Sequence, residues 1–180
     1  ASRSLFLKAR KIAIVTGFNI LVNAAPPAPE TDGPPGALAL ARVLRELERD
    51  VCLVCDDKNT AVLQELADDF DIPLKTIPAS DGEHWCDRFL KDYKPDHLVS
   101  IEHPGPSYCP KSIPASFKDR FLAQVDPQHH NRAQNMAGVA LGALAPETYH
   151  LFEKASKDVV TIGIGDGGNE IGMGNIGDAL

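Results

Sequence analysis

Two carboxylates lie inside a glycine-rich run near the end of the sequence. The run reads TIGIGDGGNEIGMGN over residues 161–175, and it contains Asp166 and, four residues later, Glu170. Glycines in such a loop let bare backbone approach a phosphate. The spacing G-x-G-x-x-G of a dinucleotide-binding loop, following an apolar segment, occurs at Gly163, Gly165 and Gly168. The glycine spacing therefore suggests a nucleotide-binding loop, whereas the two carboxylates suggest a site for a different kind of ligand.

The position and charge of the run favour a ligand other than a dinucleotide. A dinucleotide fingerprint normally belongs to the first strand–helix turn of its unit, with an acidic residue about 20 positions further on. This run follows the last apolar segment, and its own carboxylates would repel a pyrophosphate unless a cation intervened. Carboxylates beside backbone amides suit a ligand with both an ammonium and a carboxylate group, or a divalent metal. We rank an amino-acid or metal site above a nucleotide site.

A second glycine-containing loop, ETDGPPG, precedes a helical pattern. Thr31 or Asp32 is predicted to cap that helix. Gly33 and Gly36 would let a carboxylate or phosphate approach the amides at the helix start. Taken alone, a well-made helix cap is the simpler interpretation of this loop.

Polar residues also follow two other apolar segments. DDKN, which contains Lys58, comes after the second segment, and IEHPG, which contains Glu102, comes after the fourth. In an open α/β sheet, ligands lie beyond the carboxyl ends of the strands. Polar residues at four such ends favour a binding cleft.

Strand and helix patterns alternate along the chain. Continuous apolar character, typical of buried parallel strands, occurs in KIAIVTGF, VCLVCD, PLKTIPA, DHLVSIE and VVTIGIG. Helical periodicity occurs in GALALARVLRELERD, NTAVLQELADDFD and SDGEHWCDRFLKDYK. The order predicts a Rossmann-like α/β fold, with an open, doubly wound, mainly parallel sheet of about five or more strands and helices on both faces.

Composition limits the classes of partner. The chain has 180 residues, 43% hydrophobic and 24% charged, which predicts one globular domain over residues 1–180. Its net charge of −7 argues against nucleic acid or an anionic membrane as partner. No segment approaches the roughly 20 apolar residues of a membrane-spanning helix. Cys52 and Cys55 are predicted to point to opposite faces of one strand, in the core of a soluble intracellular protein, and not to share a metal.

Residues 103–135 interrupt the alternation. They contain five prolines and only a weak helical pattern around residues 117–122. Long loops in a compact domain tend to be lids or binding segments. This region is therefore predicted to cover the site as a lid, or else to be a disordered excursion.

Three of the motifs, in their order along the chain, resemble a known family. ETDGPPG, SIEHPG and above all TIGIGDGGNEIGMGN are similar to the C-terminal domain of the D-glutamate cyclase family, and the resemblance extends over most of residues 10–178. It implies a hydro-lyase that converts D-glutamate to 5-oxo-D-proline and water. It also implies the mitochondrial matrix as location. A separate N-terminal domain of a longer protein is then a potential partner.

Cyclisation of D-glutamate requires a base, an acid and a group that neutralises charge on oxygen. Under the resemblance, Asp166 or Glu170 binds the α-ammonium group and one of them takes its proton. Glu102 is the candidate acid if burial raises its pKa. A divalent cation, Mg²⁺ or Mn²⁺, is the alternative to that acid and the one candidate cofactor. The residues expected to bind the substrate are Thr31, Asp32, Gly33, Gly36, Lys58, Gly167, Gly168 and Asn169.

Two other classes of function stay open on the sequence. A nucleotide- or NAD-binding Rossmann-like enzyme would use the glycine run for phosphate, so NAD or ATP would protect the chain against thermal unfolding. A non-catalytic domain that binds a small molecule would keep the cleft but turn over nothing.

Overall fold

A five-stranded parallel sheet is the centre of the computed structural model, which describes residues 1–21 and 26–175. The strands are β1 (Lys11–Thr16), β2 (Asn19–Ile20), β3 (Ala28–Pro29), β4 (Asp50–Asp56), β5 (Leu74–Ile77), β6 (His97–Ile101) and β7 (Val160–Ile164). The helices are α1 (Ser2–Leu7), α2 (Pro34–Glu46), α3 (Thr60–Asp68), α4 (Gly82–Tyr93), α5 (Lys118–Gln124) and α6 (His150–Lys154). The two short strands β2 and β3 form a separate antiparallel pair.

The strand order of the large sheet is β5-β4-β1-β6-β7, which confirms the predicted Rossmann-like α/β fold. From β1 the chain moves outward through β4 and β5, and then returns to the other side of β1 with β6. The direction of winding therefore reverses between β1 and β6, where Thr16 pairs with Ile101. Ligands of open α/β sheets bind in the crevice at such a reversal. Gly17 directly follows β1, and Glu102 directly follows β6.

Helices cover both faces of the sheet. Side chains of β1 alternate between two apolar clusters, with Ile12 and Ile14 packed under α1, α2 and α3, and Ala13 on the side of α4 and α6. Each fully buried aliphatic side chain contributes about 1.5–3 kcal/mol. Cys55 belongs to the first cluster and Cys52 to the second, so their predicted positions on opposite faces of one strand are confirmed.

Helix α2 begins at Pro34, directly after a glycine with an unusual backbone conformation. Gly33 is the N-cap, with φ +77° and ψ −62°. The prediction that Thr31 or Asp32 caps this helix is wrong, since Asp32 Oδ1 accepts a hydrogen bond from the Gly33 amide, 2.8 Å away. A capping side chain normally accepts from the second or third helical amide, and the second position here is Pro35, which has no N–H.

Residues 103–135 run along the carboxyl edge of the sheet. They contain α5, which corresponds to the weak helical pattern in the sequence, and short 3₁₀ turns at residues 115–117 and 127–129. Isolated β-bridges join Pro104 to Glu170 and Pro106 to Ala133. The role of this region as a lid stays a prediction.

Over the described ranges, no helix combines the length and apolar character needed to cross a bilayer.

Asp96 ties the amino end of the sheet together, and we expect Asp96→Ala to lower the free energy of unfolding by about 2–3 kcal/mol. Its Oδ2 accepts hydrogen bonds from the amides of Arg10 and Lys11 at 2.9 and 3.0 Å. Its Oδ1 lies 2.6 Å from Nδ1 of the buried His97, which would lose this partner. Urea denaturation measures the change. In Asp92→Ala, an exposed position on α4, a change of at most about 0.5 kcal/mol is expected, and equal losses would contradict the prediction.

Candidate active site

A cavity of about 340 Å³ opens at the carboxyl edge of the sheet, beside the reversal of strand order. Carboxylates line it from three segments: Glu30 and Asp32 before α2, Glu102 after β6, and Asp166 and Glu170 after β7. None of the described residues that line it is Lys, Arg or His. The remaining lining residues are apolar or neutral, among them Phe18, Asn135, Met136, Gly167 and Asn169. The cavity is thus strongly acidic.

Three of these carboxylates converge on one point. One oxygen each of Glu102, Asp166 and Glu170 lies within 4.8 Å of the others. Asp166 is exposed, Glu102 is half-buried and Glu170 is buried. The convergence follows from the sheet, because β6 and β7 are parallel neighbours and the Glu102 amide donates to the Ile164 carbonyl, 3.0 Å away, at their common end. We call Glu102, Asp166 and Glu170 the carboxylate cluster.

The glycine run folds around Glu170. Glu170 Oε1 accepts a hydrogen bond from the Gly167 amide at 2.8 Å. A Cβ atom on Gly165 would lie 2.8 Å from Glu170 Cδ, and one on Gly167 would lie 2.7 Å from Oε1. These glycines therefore make room for a carboxylate of the chain itself, and the amide that a phosphate would need is already in use.

The cluster concentrates negative charge. Partial burial, followed by the charges of Glu170 and Asp166, raises the pKa of Glu102 to about 7. Burial, and then the charges of Asp32, Asp166 and Glu170, raises the pKa of Glu30 in the same way. One carboxyl group of the cavity thus favours a proton near neutral pH unless a cation compensates the charge.

Gly33 lies against Glu102, one of the residues that line the cavity. A Cβ atom there would lie 2.8 Å from Glu102 Cβ and 2.9 Å from Thr16 Oγ1. The close approach that the structure shows at Gly33 is therefore an approach to Glu102, and a contact of Gly33 with a ligand stays a prediction. Thr16 Oγ1 is buried and has no hydrogen-bond partner within the described residues.

A buried polar network supports the loop after β1, and sequence reasoning missed it. Asp56 accepts hydrogen bonds from the Lys58 amide at 2.8 Å and from Asn59 Nδ2 at 2.8 Å. Asn59 packs against Gly17, whose carbonyl oxygen lies 2.7 Å from His103 Nδ1. Burial lowers the pKa of His103. The signal was available, since Asp56 and His103 both occur in the polar strand ends DDKN and IEHPG.

Comparison with known families bears on this site directly. The family model described as D-glutamate cyclase-like, C-terminal, matches residues 1–109 and 123–180. The chain belongs to this family. The matched residues include the whole carboxylate cluster and leave out residues 110–122, where α5 begins. A human protein named "D-glutamate cyclase, mitochondrial" is 30% identical over 187 residues, which cover 96% of this chain and 27% of the human protein.

The eight predicted substrate-binding residues of this D-glutamate cyclase-like chain fall into three groups. Asp32, Gly167 and Asn169 line the acidic cavity, and Asn169 Nδ2 also donates to the Gln134 carbonyl at 2.8 Å. Gly33 lies against Glu102, and Gly168 lines a neighbouring pocket. The exposed residues, which are not among the described residues lining the cavity, are Thr31, Gly36 and Lys58.

Two features of the fold explain why Lys58 and the start of α2 contribute little to the cavity. Lys58 follows β4, which is one strand away from the reversal between β1 and β6. The amides predicted to hold carboxylates at the start of α2 are few, because Pro34 and Pro35 lack N–H groups and the Gly33 amide donates to Asp32. The helix start of this D-glutamate cyclase-like chain is therefore a weak anion site.

Seven of the described residues that line the cavity of the D-glutamate cyclase-like chain were not predicted as site residues, among them Glu30, Asn135 and Met136. Glu30 is held by its amide, which donates to the Phe18 carbonyl at 2.9 Å beside the β2–β3 pair. Asn135 and Met136 belong to a turn in which Asn135 Oδ1 accepts from the Val139 amide at 2.9 Å. Glu30 opens the ETDGPPG motif, so a signal existed for it. The turn has no periodic pattern that would bring it to the cavity.

Proposed function

We propose that this chain is a D-glutamate cyclase-type lyase, which converts D-glutamate to 5-oxo-D-proline and water at the carboxylate cluster. The observation that carries the proposal is the convergence of three carboxylates within 4.8 Å in a small cavity at the reversal of strand order. Membership of the D-glutamate cyclase-like family and the name of the human relative support the reaction class. That relative is much longer, so activity of this domain by itself is part of the proposal.

The reaction moves protons without consuming any. The nitrogen lone pair forms a bond to the γ-carboxyl carbon, and one C–O bond of that carboxyl breaks. Two protons leave the ammonium group in total, and both end on the oxygen that departs as water. The protein therefore has to take protons from the substrate nitrogen and deliver them to the departing oxygen. It also has to hold the substrate in a conformation in which the ring can close.

The cluster offers a group for each task. Asp166 and Glu170 lie where an ammonium group would be attracted, and one of them accepts its proton. The departing oxygen needs a positive partner near Glu102, either a proton on that carboxyl or a cation that it helps to hold. Asn169 and the other neutral lining residues are the contacts left for the uncharged part of the substrate.

Similarity to the human protein supports two further proposals, one on the location in the cell and one on a further domain. The name of the human relative supports a mitochondrial location, and the matrix is the compartment that we propose within it. A further domain as partner follows from the length of that relative, of which this chain covers 27%.

The purified chain, incubated with D-glutamate, is expected to form 5-oxo-D-proline, measured by chiral chromatography with Mg²⁺ or Mn²⁺ and without. L-Glutamate is the control and is expected to give no product. Absence of product from D-glutamate under every condition, in a chain shown to be folded, would contradict the proposal. Binding of D-glutamate without turnover would identify a non-catalytic binding domain instead.

NAD and ATP are expected to leave the melting temperature of the chain unchanged, because the Gly167 amide already donates a hydrogen bond to Glu170.

A further inference from the structure

The charge of the cavity does not match the charge of the proposed substrate. D-Glutamate carries two carboxylates and one ammonium group, so it enters with a net charge of −1 at neutral pH. Glu30, Asp32 and the carboxylate cluster line the cavity, with no basic side chain among the described residues there. The ammonium group compensates part of this charge, but nothing in the described lining compensates the carboxylates of the substrate.

A buried oxygen in the cluster points to the missing positive charge. Glu170 is only 7% exposed, and its Oε2 has no hydrogen-bond partner within the described residues. A buried carboxylate oxygen without a partner is unfavourable, and such atoms in proteins usually face a ligand, an ion or a water molecule. Oxygen atoms of Glu102 and Asp166 lie within 4.8 Å of an oxygen of Glu170. The unpaired oxygen thus belongs to a side chain of the carboxylate cluster.

The spacing of the cluster fits a single ion. Mg²⁺ binds oxygen atoms at about 2.0–2.1 Å and Ca²⁺ at about 2.3–2.6 Å, so oxygens that share one ion stand at most about 4–5 Å apart. The oxygens of the cluster lie within 4.8 Å of one another, and Asp166 is exposed, so a small rotation of its side chain would bring them into the range of a single ion. The hydroxyl of Thr16, also buried and without a partner among the described residues, lies 2.9 Å from the Cβ position of Gly33, and Glu102 Cβ lies 2.8 Å from the same position. Three carboxylates leave coordination positions free for water and for a carboxylate of the substrate.

We propose that Glu102, Asp166 and Glu170 bind one divalent cation of the Mg²⁺ or Mn²⁺ class, and that this cation receives a carboxylate of the substrate. The second half rests on the proposed function, whereas the first half does not. A cation at this point would neutralise charge on the oxygen that leaves as water, with the C–N bond forming and the C–O bond breaking as described above. Glu102 would then act as a ligand, not as an acid. The proton of the ammonium group would go to the second oxygen of Asp166, because the second oxygen of Glu170 already accepts a hydrogen bond from the Gly167 amide.

Titration of the metal-free chain with Mn²⁺ alone, followed by electron paramagnetic resonance of the free ion, tests the cation site without any substrate. We expect one Mn²⁺ per chain. Asp166→Asn and Glu170→Gln are each expected to weaken binding at least tenfold. The side-chain amide oxygen introduced by Glu170→Gln would still accept the hydrogen bond from the Gly167 amide, and Asp166 is exposed, so both variants are expected to fold. Circular dichroism of each variant checks this.

Glu30→Gln is the matched control, because Glu30 lines the same cavity outside the cluster. It is expected to weaken Mn²⁺ binding at most threefold. Absence of Mn²⁺ binding, or unchanged binding by folded Asp166→Asn and Glu170→Gln variants, would overturn the cation site.

The cation site and the cyclase reaction fail in different ways. An undiminished rate of 5-oxoproline formation after treatment with EDTA would overturn the cation site and leave the cyclase. Specific Mn²⁺ binding by a chain that forms no product would overturn the cyclase and leave the cation site.

Discussion

Asp166→Asn is expected to lower the rate of 5-oxoproline formation from D-glutamate at least about 100-fold, while the melting temperature stays within about 2 °C. Asp166 is exposed in the loop after β7 and contributes an oxygen to the carboxylate cluster. Asparagine has nearly the same size but carries no negative charge, so it neither accepts a proton from the substrate nor neutralises a cation. Product formation under saturating D-glutamate and thermal unfolding are the two measurements.

Asp158→Asn is the matched control for this variant. Asp158 is exposed just before β7, whereas Asp166 lies just after it, so the same charge is removed at the end of the strand opposite to the cluster. Its rate is expected to stay within about twofold of the unmodified chain, as for other surface substitutions. A normal rate in Asp166→Asn would assign the chemistry to other groups. A large loss of melting temperature in that variant would mean that the loop after β7 is chiefly structural.

Gly33→Ala is expected to lower the free energy of unfolding by about 2–4 kcal/mol. The backbone at Gly33 has φ +77° and ψ −62°, which residues with a side chain rarely adopt. The added methyl group would also lie 2.8 Å from Glu102 Cβ and 2.9 Å from Thr16 Oγ1. Because Glu102 has to move, we expect weaker Mn²⁺ binding together with the loss of stability. Urea denaturation and the Mn²⁺ titration measure the two effects.

Gly36→Ala provides the comparison within the same motif. Gly36 lies in the first turn of α2, and a Cβ atom there would meet only Ile101 Cγ2, at 3.9 Å. Alanine is favoured over glycine inside a helix, so this variant is expected to gain about 0.5–1 kcal/mol. Opposite signs at the two glycines would separate a strained position from an ordinary helical one. Equal effects would show that the conformation of Gly33 is not required.

The sequence predicted the sheet and the three carboxylates of the cluster for the same reason. Continuous apolar segments indicate buried parallel strands, and the ends of parallel strands meet at one edge, so Glu102, Asp166 and Glu170 could be expected there. Lys58 was also expected to bind the substrate but is not among the described residues that line the cavity, because periodicity does not reveal which strands are neighbours. The order β5-β4-β1-β6-β7 places its strand away from β6 and β7.

The start of α2 and the glycine run show two further limits of prediction from the sequence. In DGPPG the prolines themselves indicate that few amides are free, so the weak anion site at α2 was predictable. In the glycine run, the spacing cannot reveal which group uses the loop amides. The hydrogen bond from Gly167 to Glu170 arises only when the loop folds back on itself. Glu30 and Met136 reach the cavity through loops whose course no pattern encodes.

The fold of the glycine run around Glu170 has a consequence for protein engineering. One oxygen of this side chain fixes the loop through Gly167, and the other has no partner among the described residues, while the side chain leaves no space for a Cβ atom at Gly165. The residue that holds the loop is thus also the one proposed to react. A designer who wishes to move the proposed activity to another Rossmann-like protein should transplant residues 163–172 as one module, because grafting the carboxylates alone would omit the backbone that aims them.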